Sequence, residues 1–345
     1  MTPSQYAVFI TTVDTAIGAI YSEMDEVDDG WKTYSKLDPM NEGTVKAYGW
    51  TGMSPKPRPW FGSRQVYEEA PQTYTVTPVP YELTLGIDRF LLDDSKPNAP
   101  SIFWRQLPDM ARQWKRQPNY EIRDLLENSG IQTGSRQNGL DTGAYWSTAH
   151  PVDYYNPSYA WADPFFSSGT YCNDFIGAQT INSISIGGAM GTTSLATLVD
   201  YHKMMIGEDG ERLGVRPSHL MIPTGLEMVT NFVLASSFLG SPTWGGLGQI
   251  TGQIGTADNQ MKKLGLTVVV NPFLQHQLRF YLMMANKAEK PLKWVVREAP
   301  RTVPRIAEND PIVFDSHRYT WGGWDRVCPA WSYSWLMLRS GPAGA

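Results

Sequence analysis

The chain has 345 residues, enough for one large core or two ordinary ones, so it does not need dense disulfides to fold. Its 29 basic and 34 acidic residues give a net charge of -5, and no long basic run is present to track a phosphate backbone, which disfavours sequence-specific nucleic-acid binding. No window approaches the roughly 20 uninterrupted apolar residues that span a bilayer, and no basic stretch leads into an apolar one at the start, so neither membrane insertion nor secretion is expected.

Cys172 and Cys328 stand far apart and outside any CxxC pattern, and read as two reduced thiols, with a bridge between them as the alternative. Charged residues make up 18% of the chain while aromatics reach 12%, with 13 Trp, an imbalance that implies covered surface. A subunit covered by copies of itself would show this bias, because aromatic rings concentrate in buried interface centres. So would a glycan-binding protein, whose exposed rings stack on sugars.

In chain order, Tyr6, Phe9, Ile10, Val13, Ile17, Ile20, Tyr21 and Met24 recur at helical spacing behind a Thr2, Pro3, Gln5 start, which predicts an amphipathic N-terminal helix. An acidic segment follows, Glu23, Asp25, Glu26, Asp28 and Asp29, ending at Gly30, and reads as a solvated helix end rather than a metal loop. Residues 44–80 are punctuated by Pro55, Pro57, Pro59, Pro71, Pro78 and Pro80, a density that permits edge strands but not helices. Tyr81, Leu83, Leu85 and Ile87 then alternate with polar residues, the period of a half-buried strand, and a long projecting hairpin would fit.

From Ile102 the period becomes helical through Phe103, Leu107, Met110, Ala111 and Trp114, with Pro108 expected to kink the piece. After Pro118 a second helical piece carries Ile122, Leu125 and Leu126 to Gly130. Residues 131–191 are loop-rich, a helix is expected over about 192–206, a short strand over 219–223 and a helix over 226–234. A Gly-rich loop covers 240–255, and apolar runs at 266–270, 278–284, 293–297 and 311–314 read as strands. The sum is an α+β chain without strict βαβ alternation or internal repeats.

No pattern persuades as a catalytic or cofactor site. His150, His202, His219, His276 and His317 lack metal-ligand spacing, and no GxSxG elbow is present. Gly246, Gly248 and Gly252 miss the dinucleotide spacing by one residue and follow a helix, so they read as a mobile loop. Gly187, Gly188 and Gly191 lead into Thr192 and Thr193 without the lysine a phosphate-cradling loop needs. Asp93 and Asp94 read as helix caps, and His150-Pro151 as a turn. Catalytic, cofactor and metal residues are therefore none.

Several stretches go beyond generic pattern: YGWTGMSP at 48–55, RPWFGSR at 58–64, then Tyr74, Tyr81 to Leu85, Arg89 and Asp93-Asp94. They are followed by AYWSTAHP at 144–151, RPSHLMIPTGLE at 216–227, LMMANKAEKPLKW at 282–294, Arg297-Glu298 and ENDPIVFD at 308–315. None is a chemical signature, but the collinear set resembles the Mu-type tailed-phage major head subunit over about residues 45–325. That resemblance implies the Hong Kong 97-type capsid fold, with an N-terminal arm, an extended E-loop hairpin, a peripheral domain with a spine helix, and an axial domain.

On this resemblance residues 1–57 would be the arm, 58–95 the E-loop and 96–194 the peripheral domain with its spine helix and an aromatic loop insertion. Residues 195–290 would form the axial domain, and 291–345 strands returning to the peripheral domain. Phe9, Val13, Trp50, Trp60, Phe61, Arg64 and Tyr74 would lie at inter-subunit contacts, and Trp244, Gly246 and Gly248 in an axial loop near the symmetry axes. The implied role is self-assembly into the icosahedral head of a virion, built in the host cytoplasm from hexamers and pentamers around a double-stranded DNA genome held non-specifically. The mild negative charge suits an inner wall that holds a polyanion without gripping it.

Portal and decoration proteins would be further partners, and with only about 60 residues before the E-loop, too few for a fused scaffolding segment, a separate scaffolding protein is expected. The competing readings are a Trp-rich glycan-binding or glycan-cleaving protein, with rings gathered beside paired carboxylates, and another virion part such as a tail or decoration protein. If the arm and E-loop lie across neighbours, their rings become buried only on assembly, in interfaces that commonly exceed about 2,000 Å² when obligate. Trp60→Ala is therefore expected to lower particle yield while leaving subunit melting nearly unchanged, and equal losses of both would remove Trp60 from the interface.

Overall fold

A computed structural model describes residue 15 and residues 30–50, 72–88, 90, 101–128, 144–152, 170–181, 184–207, 211–235, 238–240, 243–244, 250–251, 254–286, 288–305, 307 and 310–343. The expected N-terminal helix, the acidic segment, the proline-rich stretch at 51–71 and Asp93-Asp94 lie outside these residues. A 3-10 turn at Gly30–Thr33 leads into β1 (Ser35–Pro39), followed by β2 (Lys46–Trp50), β3 (Gln72–Val76) and β4 (Val79–Asp88). Helix α1 (Ser101–Asn128) comes next, then short strands β5 (His150–Pro151), β6 (Thr170–Tyr171), β7 (Asp174–Ile176), β8 (Gln179–Ile181) and β9 (Ile184–Ile186). Helix α2 (Thr192–Met204), β10 (His219–Ile222) and helix α3 (Glu227–Ala235) precede four short strands, β11 (Phe238–Gly240), β12 (Thr243–Trp244), β13 (Ile250–Thr251) and β14 (Ile254–Asp258). The chain closes with β15 (Thr267–Val270), β16 (Phe280–Met283), β17 (Leu292–Arg305), α4 (Pro311–Ser316), β18 (Arg318–Trp331) and β19 (Met337–Gly341).

Two sheets organise these elements. The first has the order β1-β17-β18-β4 and is built on two 14-residue strands, β17 and β18, paired antiparallel from Leu292↔Trp331 to Arg305↔Thr320. Along β18, Tyr319, Trp321, Gly323, Asp325 and Val327 alternate with more open neighbours, and their buried face receives α1. The half-buried strand expected at 81–87 is β4, paired along β18 from Val79↔Val327 to Asp88↔Arg318. The hairpin that does form joins β2 to β3, Lys46↔Val76 through Trp50↔Gln72, so its strands flank residues 51–71.

The second sheet has the order β15-β10-β16-β19-β7. Its central strands carry apolar residues on both faces, as the fully buried run Phe280 to Met283 shows, because both faces are covered. Leu220, Ile222, Phe280, Leu282 and Leu338 pack with Leu195, Leu198 and Val199 of α2 and Val229 and Val233 of α3. Met221, Tyr281, Met283 and Met337 face the other way, into a core shared with Ile122, Leu125 and Leu126 of α1 and with Leu292, Trp294, Val327 and Trp331 of the first sheet. Sheet-to-sheet contact is thus made by the hydrophobic core itself.

Several expectations are corrected. The two helical pieces around Pro118 are one 28-residue helix. Each proline removes one backbone donor at a cost of about 3 kcal/mol, but burial of Met110, Trp114, Ile122, Leu125 and Leu126, worth roughly 1.5–3 kcal/mol each, outweighs it. Residues 311–314 form a helix, not a strand, with the Phe314 N–H bonded to the Asp310 carbonyl and that of His317 to Val313. The Gly-rich loop at 240–255 is drawn into two antiparallel strand pairs, β11 with β14 and β12 with β13. Not all of residues 291–345 return to the first sheet: after Trp331 the chain crosses over, and β19 pairs between β16 and β7.

The glycines read against a phosphate loop have a packing role. Gly187 has φ +80°, and a Cβ there would sit 2.4 Å from Phe175 Cβ and 2.9 Å from Ser340 Oγ, in the middle of the second sheet's edge. Gly187→Ala therefore meets both a left-handed backbone and backbone-anchored neighbours, and is expected to cost more than about 2 kcal/mol. A thermal melt of the purified subunit checks this; an unchanged midpoint would mean the chain can relax around the added methyl.

Candidate functional site

Three constellations in the fold could carry function, and the first sits where the sheets meet. The AYWSTAHP segment enters this junction with Tyr145 stacked on Trp331 at 3.6 Å between centroids, and Trp146 edge-on to both. Trp146 donates its indole N–H to the Leu126 carbonyl at 2.9 Å, which ties the end of α1 to the cluster. Arg339 of β19 lies over the Trp146 ring at 4.8 Å and holds the Asp174 carboxylate with two bonds of 2.8 and 2.6 Å. A bidentate pair of this kind is favoured where both groups are largely withdrawn from water.

Behind the rings, buried Asn173 donates to the Tyr145 carbonyl at 2.6 Å and accepts the Ser147 N–H at 2.9 Å. His150 reaches the same carbonyl at 2.9 Å and Asn173 Oδ1 at 3.1 Å through one nitrogen, Nε2, so that nitrogen carries the proton. The residues read as a turn instead form the two-residue strand β5, paired with β6, and His150 stacks on Tyr171. With Nε2 committed to a backbone carbonyl and a buried amide and its ring stacked on Tyr171, this imidazole orders a core.

The other histidines occupy varied settings. His202, fully buried, bonds the Trp335 carbonyl at 2.7 Å, and burial pushes its pKa down to about 4, so it is neutral near pH 7. His219 meets Ser218 Oγ at 2.8 Å, the His276 N–H is bound by Glu127, and His317, at φ +50°, lies against Phe90. Both cysteines are free and buried, and burial pushes Cys172 up to about 12, which leaves it an inert thiol.

The second constellation supports the β2–β3 hairpin. Tyr48 and Tyr74 stack at 5.4 Å, the Tyr48 hydroxyl donates to Asp38 at 2.5 Å, and Lys46 also donates to Asp38. Lys293 lies 4.1 Å above the Tyr48 ring. Partial burial works to raise Asp38, but the bonds from Lys46 and Tyr48 prevail and its pKa falls below the ordinary value. Tyr74, expected at a subunit contact, is buried in its own chain and donates its hydroxyl to the Trp331 carbonyl. Its role is to root the hairpin in the junction, which leaves little of the ring for a neighbour.

The third constellation is the far end of the first sheet. Phe314 of α4 is 74% exposed and Phe90, against His317, is 60% exposed, while Val303 of β17 is also open. Val313, one residue before Phe314, is buried and anchors the short helix. These exposed rings were missed in the sequence because 311–314 has the composition of a strand; the signal that could have found them is Pro311 following Asp310, a helix start.

Of the remaining expected contacts, Trp50 ends β2, paired with Gln72, and Trp244 ends β12, paired with Ile250. Phe9, Val13, Trp60, Phe61, Arg64, Gly246 and Gly248 lie outside the described residues. Part of the aromatic content is internal: among the described residues Trp31, Trp114, Trp146, Trp294, Trp321 and Trp331 are buried in the core of the single chain. That removes these rings from any sugar-stacking face.

Comparison with known proteins agrees with this architecture. The sequence model of the family described as Mu-like prophage major head subunit gpT matches residues 19–170. The major capsid protein of Escherichia phage Mu is 22% identical, over 60% of this chain and 84% of that protein. Among solved structures, a chain of the procapsid of bacteriophage JBD30 superposes with a TM-score of 0.51 at 17% identity, covering 99% of this chain and 76% of that one. The fold shared is the Hong Kong 97-type capsid fold.

Since the junction polar groups satisfy one another out of water, deleting one strands the rest. Asn173→Ala is expected to destabilise the subunit by about 2–3 kcal/mol, from unpaired backbone and imidazole groups. Denaturant unfolding of the variant measures this, and a loss below about 0.5 kcal/mol would mean the network is dispensable.

Proposed function

We infer that this chain, a tailed-phage major capsid protein, closes by self-association into the icosahedral head of the virion, in hexamers and pentamers, and performs no chemistry of its own. The observation that carries this is the combination of a long helix over a sheet built on two 14-residue strands with a second, doubly covered sheet, in a fold that superposes with a TM-score of 0.51 on the phage procapsid chain. In this reading the β17–β18 sheet with α1 is the peripheral domain and spine helix. The β15-β10-β16-β19-β7 sheet with α2 and α3 is the axial domain, to which β19 contributes as well as residues 195–290. The segment 51–71, between β2 and β3, belongs to the E-loop, and Trp244, Gly246 and Gly248 belong to an axial loop.

The net charge of -5 supports packaging of double-stranded DNA without specific grip. A scaffolding protein, a portal and decoration proteins are the further partners this role requires, with assembly in the host cytoplasm. Coexpression of the chain with its scaffolding partner, followed by negative-stain microscopy, tests the reading: closed shells are expected, and a monodisperse monomer under all conditions would overturn it. Efficient closed shells from this chain alone would argue against a separate scaffold.

The exposed rings at the end of the first sheet are proposed subunit contacts, alongside Phe9, Val13, Trp50, Trp60, Phe61 and Arg64. Loss of one well-packed ring from each of many repeated contacts, at about 1.4 kcal/mol or more per contact, lowers association at least tenfold. Phe314→Ser and Phe90→Ser should therefore reduce the yield of shells while the melting of the free subunit stays the same, read by sedimentation and calorimetry on one preparation. Full yield in both variants would remove this surface from the assembly.

A further inference from the structure

The seam between α1 and β18 contains a polar group that the packing does not account for. Asp325 sits in the middle of β18 on its buried face, 1% exposed, between Gly323 and Val327 and opposite Tyr81 of β4. One of its oxygens accepts a 3.3 Å bond from the Gln117 amide of α1; the other, Oδ2, is buried and makes no hydrogen bond among the described residues. Along α1, Met110, Trp114, Gln117 and Glu121 follow the spacing of one helix stripe, so the stripe changes from apolar to polar where it meets Asp325. Gly323 lets the helix approach closely: a Cβ there would lie 2.7 Å from Trp114 Nε1, an indole nitrogen that also lacks a partner among the described residues.

Among the described residues, the groups facing Asp325 are Gln117 and Glu121 from α1 and Tyr81 from β4, and the formal charge acting on it is the carboxylate of Glu121. Arg326 and Trp324 point to the opposite face of the sheet, where Arg326 meets Glu298 and Arg301 lies over the Trp324 ring. A carboxylate buried beside another carboxylate, with one weak donor and no cation bonded to it among the described residues, is held out of its charged form by both burial and repulsion.

We propose that Asp325 is a proton-dependent latch of the α1–β18 seam: as the neutral acid it lets the helix pack closely on the strand, and on losing its proton it loosens that packing. Burial first, and the Glu121 charge after it, push its pKa up to about 6, against the lowering by Gln117. Because the folded value lies above the unfolded one, the stabilisation is complete below the unfolded value of about 4 and is lost as pH rises through about 6. The free energy of the seam therefore differs between mildly acidic and neutral solution through a single side chain of β18, packed against α1.

Hydrogen exchange of the full-length subunit, followed by mass spectrometry and expressed as protection factors for peptides within 110–127, tests this without requiring a shell. Protection in the wild type is expected to fall about tenfold between pH 5 and pH 8, the ratio given by folded and unfolded values near 6 and 4. In Asp325→Asn, which keeps the shape and cannot ionise, the fall should vanish. In Glu121→Gln, which leaves Asp325 in place, its midpoint should move to lower pH. An equal fall in the wild type and Asp325→Asn would overturn the proposal, and should Asp325→Asn fail to fold, an unmoved midpoint in Glu121→Gln would overturn it alone.

Discussion

Everything in this subunit turns on how the chain passes between its two sheets. Two of its crossings, through Met284 to Pro291 and through Ser332 to Leu336, are bonded to each other: Met284 N–H to the Leu336 carbonyl and Ser332 N–H to the Pro291 carbonyl, both at 2.9 Å. Pairing on one side ends at Met283↔Met337 and on the other begins at Leu292↔Trp331, so the two sheets are nearly continuous through a hydrogen-bonded neck. Rings of Tyr145, Trp146 and Trp331 fill the angle of that neck. Close-packed aromatic cores resist deformation because any rotation opens voids that water is too large to fill.

Two further ties keep the neck from acting as a hinge. Glu127, near the end of α1, accepts the backbone N–H groups of Gln275 and His276 at 2.9 Å each, in the loop between β15 and β16. Asn271 donates to the Tyr34 hydroxyl at 3.1 Å, joining the end of β15 to the segment that leads into β1. The first tie holds the helix and the second holds the edge of the first sheet to the same loop of the second. With three separate anchors around one aromatic centre, the two sheets behave as one body.

The elements legible in the sequence are those whose burial is simple. β10 and β16 are short apolar runs covered on both faces, β15 is a half-buried Val run at the sheet edge, and α2 and α3 show helical spacing, so composition and period were enough. β18 was not recognised although Tyr319, Trp321, Gly323, Asp325 and Val327 alternate as a strand should, because two of the five buried positions are a glycine and a carboxylate that no hydrophobic pattern would place inside. Both exceptions face α1, whose own continuity across Pro118 was equally hidden. The same seam defeats local reading from both sides, since its residues are set by the partner and not by the strand or the helix alone. The proposed contacts were less legible: the Tyr74 ring is buried within the chain, and the exposed rings of Phe90 and Phe314 lie in segments with no clear period.

The remaining step concerns how a rigid body with so much of its aromatic content inside can still associate. Among the described residues the exposed large apolar side chains are dispersed: Leu37 and Val45 near the β1 edge, Val79 at the start of β4, Phe90, Val303 and Phe314 at the far end of the long strands, Met228 on α3 and Ile184 on β9. A patch of two or three such residues falls well below the roughly 1,200 Å² that a specific, stable pair of proteins buries. Several weak patches pointing in different directions have another property. A patch that joined unlike surfaces of two subunits, as in the proposed shell, would propagate contacts instead of ending in a closed dimer, and the rotation it imposed would decide whether the array closes. Once part of an array forms, each further contact of a subunit is made at high effective concentration, so weak contacts add into a durable whole without strong pairing between free subunits. Rigidity at the neck is what gives that geometry meaning, because patches set on a body that flexed would not repeat the same angle from one neighbour to the next.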